Sequence, residues 1–336
     1  MNNLKAFIEA MPKCELHVHI EGTLEPEMKF QIAKRNQIKL PYEDVKALKA
    51  AYHFNDLPSF LAVYYEGMNV LLTEQDFFDL TYAYLKKARS QNVLYTEMFF
   101  DPQAHTARGV SYDTVIRGIR RAQMEAETSL GIHSQLIMCF LRDWSAEFAM
   151  TTLLQSLPYK EWIIGVGLDS DEKNNPPLKF AKVFQRARAE GYLLTMHCDV
   201  NQQDSVNHIW QVVRDIGANR IDHGVNAIED KGLCDQIKHR SLALTICPIS
   251  NGYVVDGTKS EVIAAMLEAG MRVTVNSDDP AYFPGYMNEN MIRVQEEVNL
   301  GKARLVQLAE NAFESAWLPR ATKDRYLAEL KAYAAK

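Results

Sequence analysis

Along this chain, short apolar runs alternate with longer stretches whose apolar residues recur with the 3.6-residue period of a helix. The runs are Cys14–Val18, Leu94–Phe99, Gln135–Phe140, Ile163–Leu168, Leu193–Met196, Asn219–Asp222, Leu242–Ile246 and Arg272–Val275. Each has the length of a strand buried on both faces. The sixth carries a single apolar side chain, Ile221. Amphipathic stretches between the runs include Phe77–Ala88, Tyr112–Leu130, Leu178–Ala189 and Lys259–Ala269. This repeated alternation predicts an α/β fold, a parallel TIM (β/α)8 barrel. A helical insertion at about 24–90 separates the first two strands, and Arg304–Ala335 predicts C-terminal helices. No Ser/Gly linker, internal repeat or low-complexity tract interrupts the chain, so 1–336 reads as one domain.

Composition removes several function classes. With 336 residues, 47% hydrophobic and 24% charged, the chain has the balance of a soluble globular protein. A net charge of −6 and the lack of a basic run argue against a nucleic-acid partner. No apolar run reaches the roughly eighteen residues of a membrane span. The start, Met1 to Phe7, lacks the extended apolar core of a signal peptide. Cys14, Cys139, Cys198, Cys234 and Cys247 are scattered, odd in number and without Cys-x-x-Cys spacing. They read as reduced thiols of a cytoplasmic protein, mostly small core residues. Oligomeric state leaves no mark in the sequence.

The candidate chemistry lies at strand ends. His17 and His19, one residue apart, project to the same face of a strand. Two imidazoles on one face are half of a zinc site, and a pair on a solvated strand is the other reading. His197 closes the fifth run, His223 follows the sixth, and Asp278 and Asp279 follow the eighth. In a barrel, active-site residues come from the C-terminal ends of strands. His17, His19, His197 and Asp278 form a nitrogen and carboxylate set suited to hydrolytic zinc, which leaves His223 free to hold and deprotonate the attacking water. His53, His105, His133, His208 and His239 fall in helical or loop contexts. Of these, His208 stands nearest the chemistry.

The motifs together resemble the adenosine/adenine deaminase family of the amidohydrolase superfamily. They are His17-Val18-His19-Ile20-Glu21-Gly22-Thr23-Leu24-Glu25-Pro26, Phe99-Phe100-Asp101-Pro102-Gln103-Ala104-His105, Gly167-Leu168-Asp169-Ser170, Asp222-His223-Gly224, Cys247-Pro248-Ile249-Ser250-Asn251 and Ser277-Asp278-Asp279-Pro280. Glu21 and the Phe-Phe-Asp-Pro-Gln segment look more like the adenine than the nucleoside branch. The resemblance implies one zinc ion per chain on His17, His19, His197 and Asp278, with His223 orienting and deprotonating water. It implies that Asp279 contacts purine N7, that Ser170 contacts N3, and that the Gly167–Ser170 segment belongs to the substrate site. The fourth run ends without the lysine that relatives use to hold two metals. The cytidine deaminase pattern, His-x-Glu with Pro-Cys-x-x-Cys, is absent.

One segment departs from the family. Where the family usually has His-Ala-Gly-Glu, with the glutamate protonating purine N1, this chain has His197-Cys198-Asp199-Val200. Valine transfers no proton. If the strand continues past His197, Asp199 shares its face and can take the acid role. Alternatively, Asp199 caps the next turn. Asp204 is a more distant substitute. A rebuilt loop beside N1 predicts a pocket that accepts a substituent on N6, as in a cytokinin-like N6-alkyladenine. Phe60, Tyr64, Tyr65 and Met68 either line it or form helix core. The expected activity is deamination of adenine or an N6-substituted adenine, giving hypoxanthine and ammonia or an amine. Adenosine deamination, another amidohydrolase reaction such as cyclic amide cleavage, and a purine-binding protein without catalysis are the alternatives.

Overall fold

In the computed structural model, which describes residues 2–255 and 257–336, the apolar runs form parallel strands. They are β1 (Lys13–His19), β2 (Val93–Phe100), β3 (His133–Leu141), β4 (Ile163–Asp169), β5 (Leu193–Leu194), β6 (His197–Cys198), β7 (Ile221–His223), β8 (Ala243–Ile246) and β9 (Arg272–Val275). β1 to β5 pair in order, as do β6 to β9. Backbone bonds beyond the ladders join the two sheets. Thr195 N–H donates to Val166 O at 3.0 Å and Asp222 N–H to Met196 O at 2.9 Å. Past β9, Val18 and Asp278 form a parallel bridge, with His19 N–H to Asp278 O at 3.0 Å and Asp278 N–H to His17 O at 3.1 Å. The result is a TIM barrel whose first and last strands meet at the residues singled out above.

Three expectations need adjustment. The fifth strand is not continuous over Leu193–Met196 but splits into β5 and β6, so His197 is paired strand rather than its terminus. The sixth runs Ile221–His223, not Asn219–Asp222. Asn219 clamps Leu194 instead, donating its N–H to Leu194 O at 2.8 Å and accepting Leu194 N–H on Oδ1 at 2.9 Å. His133 opens β3 opposite Tyr95 rather than lying in a helix or loop.

Outside the barrel, Tyr112–Leu130 is capped by Ser111 and buries Val115, Ile116, Ile119, Ala122 and Ala126, a helical stripe. Burial of each large apolar side chain stabilises by about 1.5–3 kcal/mol. Within the insertion, Leu57–Gly67 starts on an Asp56/Ser59 capping box. Glu74–Ser90, the crossover helix back to the sheet, starts on a similar Thr73/Asp76 box. Buried Asp76 also pairs with Arg35 and accepts from Asn36 at 2.8 Å, which ties the start of the insertion to the crossover helix at its end. The far end of the barrel is closed by Arg220. It pairs with Glu97 and lies 4.3 Å from the centroid of Trp317. Among the described residues no helix is long and apolar enough to cross a membrane. All five cysteines are free and buried.

Candidate active site

The ends of β1, β6, β7 and the segment after β9 bring five titratable side chains to one point. His17 and His19 share a face of β1, each with its ring centroid 4.9 Å from that of Phe99. Asp278 Oδ1 lies 3.0 Å from His17 Nε2 and 3.4 Å from His19 Nε2. His19 Nε2 and His197 Nε2 are 3.1 Å apart. His223 Nε2 stands 3.8 Å from Asp278 Oδ2. His17, His197, His223 and Asp278 form one group able to hold a metal, and His19 reaches the same aspartate.

The hydrogen bonds fix which nitrogens face inward. His197 Nδ1–H donates to Leu168 O at 3.1 Å, so its Nε2 carries a lone pair. Thr245 Oγ1 donates to Asp222 Oδ1 at 3.0 Å and therefore accepts from His17 Nδ1–H at 2.9 Å. Thr195 Oγ1 donates to the other Asp222 oxygen at 2.6 Å. Buried Asp222 thus sets the His17 tautomer from behind. Lone pairs of imidazole and carboxylate converge at 3.0–3.4 Å. Without a shared cation they repel. Ligand atoms about 2.0–2.2 Å from one tetrahedral ion stand roughly 3.3 Å apart, so the donor set fits zinc in spacing and chemistry.

The electrostatics agree. Burial alone would raise the Asp278 carboxyl, but His17, His19 and His223 hold it well below the usual carboxylate range. Burial and the neighbouring imidazoles push His197 well below its ordinary value. Burial works against a charged His19, yet Asp279, Asp278 and Asp101 outweigh it and draw the imidazole up to about 10. That acid-rich wall favours positive charge between its groups, which a divalent cation provides in place of a proton. Burial, only partly offset by Asp278, brings His223 down to about 4. At neutral pH it is an uncharged base.

Asp199 lies just past β6, its Oδ1 3.5 Å from His223 Nε2. Burial and then Glu172 raise its carboxyl well above the normal range, which favours its protonated form. Val200 is buried on the cavity wall. Asp204 is exposed and does not line the cavity.

The cavity in front of the cluster has two kinds of wall. Ser170, Asp169, Asp101, Asn251 and Asp279 line the polar side, and each has a buried polar side-chain atom without a hydrogen-bond partner. Such orphans are costly unless a ligand completes them. Leu57, Phe60, Leu61, Tyr64, Tyr65 and Phe283 line the apolar side. Phe60 and Tyr64 also pack with Tyr282 and Phe283, so the lining and core readings both hold for them. Met68 is core and does not reach the cavity. Gly167 does not line it either. It lies two residues before Asp169, where a Cβ would stand 2.6 Å from Cys139 Sγ, so only glycine fits that packing. At Gly22 a Cβ would fall 2.0 Å from Asp279 Oδ1, which explains the glycine after the His-x-His motif. Ser170, His223 and Asp278 all have positive φ, at 72°, 55° and 65°. Non-glycine residues held there concentrate at functional sites.

Several site residues escaped the sequence. Asp222, Asp101, Asp169, Glu172 and Arg142 are all buried at or behind the cavity. Asp101, Asp169 and Asp222 stand inside the motifs quoted above but without a role, and for Glu172 and Arg142 the one available signal was a charged residue just past a barrel strand. His208 is buried against Glu172, with Nδ1 2.6 Å from Oε1. His105 is buried against Glu21 at 2.9 Å, away from the cavity. His53 and His239 are exposed and His133 is half-buried.

Comparison with known proteins agrees with this geometry. The sequence profile of the adenosine deaminase family matches residues 12–333. An uncharacterized deaminase of Schizosaccharomyces pombe is 51% identical over 335 residues, 99% of each chain. An adenine deaminase of Acinetobacter baylyi is 48% identical over 330 residues, 98% of this chain and 99% of that one. The crystal structure of adenine deaminase from Arthrobacter aurescens superposes with a TM-score of 0.94 at 40% identity, covering 97% of this chain and 100% of that one. The chain belongs to the adenosine deaminase family of the amidohydrolase superfamily, hydrolytic deaminases acting on purines.

Proposed function

We propose that this chain is a zinc-dependent deaminase of a 6-aminopurine base, adenine or an N6-substituted adenine, releasing hypoxanthine with ammonia or an amine. The observation that carries the reading is the approach of Asp199 to His223 at 3.5 Å on the cavity wall, with Val200 lining the same cavity. Zinc held by His17, His19, His197 and Asp278 would supply Lewis-acid activation of the attacking water. Neutral His223 takes the proton from that water as oxygen adds to purine C6. Protonated Asp199 gives its proton to N1, where electron density collects. The Asp279 carboxyl, raised by burial and by Asp278, would donate to N7 and the Ser170 hydroxyl would donate to N3, each from an atom left unpartnered, in keeping with the family resemblance. As the C6–N6 bond breaks, His223 returns its proton to the departing amine, and the C6 hydroxyl gives its proton to the Asp199 carboxylate, which leaves the C6 carbonyl and restores the acid. One water is consumed and one amine released.

Substrate choice follows from the departing segment. A glutamate at position 200 would place a charge where the valine wall now continues the apolar side of the cavity. An alkyl group on N6 leaves water for that side, and each extra methylene buried there favours binding by about 0.8 kcal/mol. A turnover panel of the zinc-loaded protein with adenine, adenosine and N6-isopentenyladenine tests the reading. The expected result is a kcat/KM for N6-isopentenyladenine at or above that for adenine, with adenosine far below both. Rapid adenine turnover with none of the alkylated base would remove the enlarged pocket. Adenosine as the best substrate would favour the nucleoside reading. Binding without turnover of any of the three would favour a purine-binding protein.

A further inference from the structure

β6 ends at Cys198, whose partner in the ladder is His223. Asp199 therefore projects toward the cavity from backbone that no strand holds. Its N–H donates instead to a side chain, Glu172 Oε2, at 2.7 Å. Glu172 is fully buried in the loop after β4 and does not line the cavity. Its other oxygen lies 2.6 Å from His208 Nδ1, on the short helix that follows the rebuilt loop. Arg142, after β3, places Nη1 3.6 Å from Glu172 Oε2 and donates from the same nitrogen to His197 O at 2.7 Å. A buried carboxylate is costly unless it is paired and hydrogen-bonded, and this one is both. It ties the segments after β3 and β4 and the helix that carries His208 to the backbone of one residue.

We infer that Glu172 is the positioning residue of the active site's acid: it stands in for the missing strand partner of Asp199 and fixes the Asp199 carboxyl opposite His223. This rests on the reading of Asp199 as the acid. Glu172 touches no substrate atom and acts only through the backbone it holds. The side chains that pack on it, Arg142 and His208, serve to hold it in turn.

The test is a double-mutant cycle in zinc-loaded protein, with bound zinc and Tm measured for every variant. Glu172→Ala should lower kcat about 100-fold, as a misplacement near 1 Å does, with KM within about threefold of wild type. In an Asp199→Asn background the same change should cost little more, because both act on one group. Glu172→Gln keeps an oxygen for the Asp199 N–H and should retain most of kcat. If Glu172→Ala does not fold, His208→Ala removes one tether and should lower kcat several-fold in wild type but not in the Asp199→Asn background. The inference is overturned if the losses multiply in the Asp199→Asn background. It is overturned equally if Glu172→Ala lowers Tm with kcat unchanged, or if Glu172→Gln is as inactive as Asp199→Asn. Unchanged turnover in Asp199→Asn alone would instead overturn the acid reading, and Glu172 positioning with it.

Discussion

The His17–His19–His197–Asp278 cluster and the Asp199 turn lie side by side yet are built on different principles. The cluster stands on strand ends and is braced from behind by Asp222 through Thr245. The Asp199 turn has no ladder and is held by side chains, Glu172 above all. Strands fix a side chain by many shared backbone bonds, so loss of one brace is damped. A turn held by a few side-chain acceptors, Glu172 for Asp199 N–H at 2.7 Å and Asn226 for Asn201 N–H at 2.8 Å, concentrates its geometry in those contacts. One part of the site is therefore robust, and its neighbour is adjustable. A family can keep its metal chemistry while altering its acid and the pocket beside it.

The hardest break of that contrast is at the cluster itself. Asp278→Ala should lose bound zinc, measured by elemental analysis, and activity should fall to background. At the turn, Asp199→Asn should keep its zinc but lose about 10²–10⁴-fold in kcat, the range of a general acid. The pH–rate profile separates the two further. The Asp199 carboxyl is raised by burial and Glu172, and the proposed acid must be protonated to act, so kcat/KM should fall as pH rises through that raised value. His223, brought down to about 4, works unprotonated, so the acid-side fall should come near that pH. In Asp199→Asn the alkaline limb should disappear from the residual rate while the acid limb stays. Asp222→Asn should weaken zinc affinity by about 10–100-fold, read by chelator competition, because the brace behind His17 is partly lost. The smallest effect is expected from Val200→Phe. It should lower kcat/KM for N6-isopentenyladenine about tenfold relative to adenine, by filling the apolar side of the cavity.

The sequence made the barrel and the cluster legible for the same reason. Strand and helix periods are local, and so is the rule that barrel chemistry sits at strand ends. His17 and His19 stand two residues apart on one strand, and that spacing alone dictates a shared face. Asp222 and Glu172 were not legible, because their roles exist only in contacts between segments distant in the chain. Glu172 and Asp199 are 27 positions apart, and Thr245 and His17 are 228 apart. The split of the fifth strand was hidden too. Leu193–Met196 reads as one continuous run closed by His197, and the break shows only where Asn219 takes over the bonding of Leu194. Met68 shows the limit of a helical stripe. It follows Phe60 and Tyr64 in period, yet packs into core while they reach the cavity.

The bridge between Val18 and Asp278 has a consequence for the birth of the protein. Asp278 lies 261 residues after His17 in the chain. A polypeptide emerging from the ribosome presents its first two imidazoles early and its aspartate almost last. Until β9 and the residues after it leave the exit tunnel, no complete donor set exists. A metal held by all four proposed ligands could bind only after Asp278 has emerged. Closure of the barrel and completion of the donor set are then one event. A nascent or truncated chain that stops short of Asp278 would carry histidines without a site, exposed to whatever ions the surroundings offer.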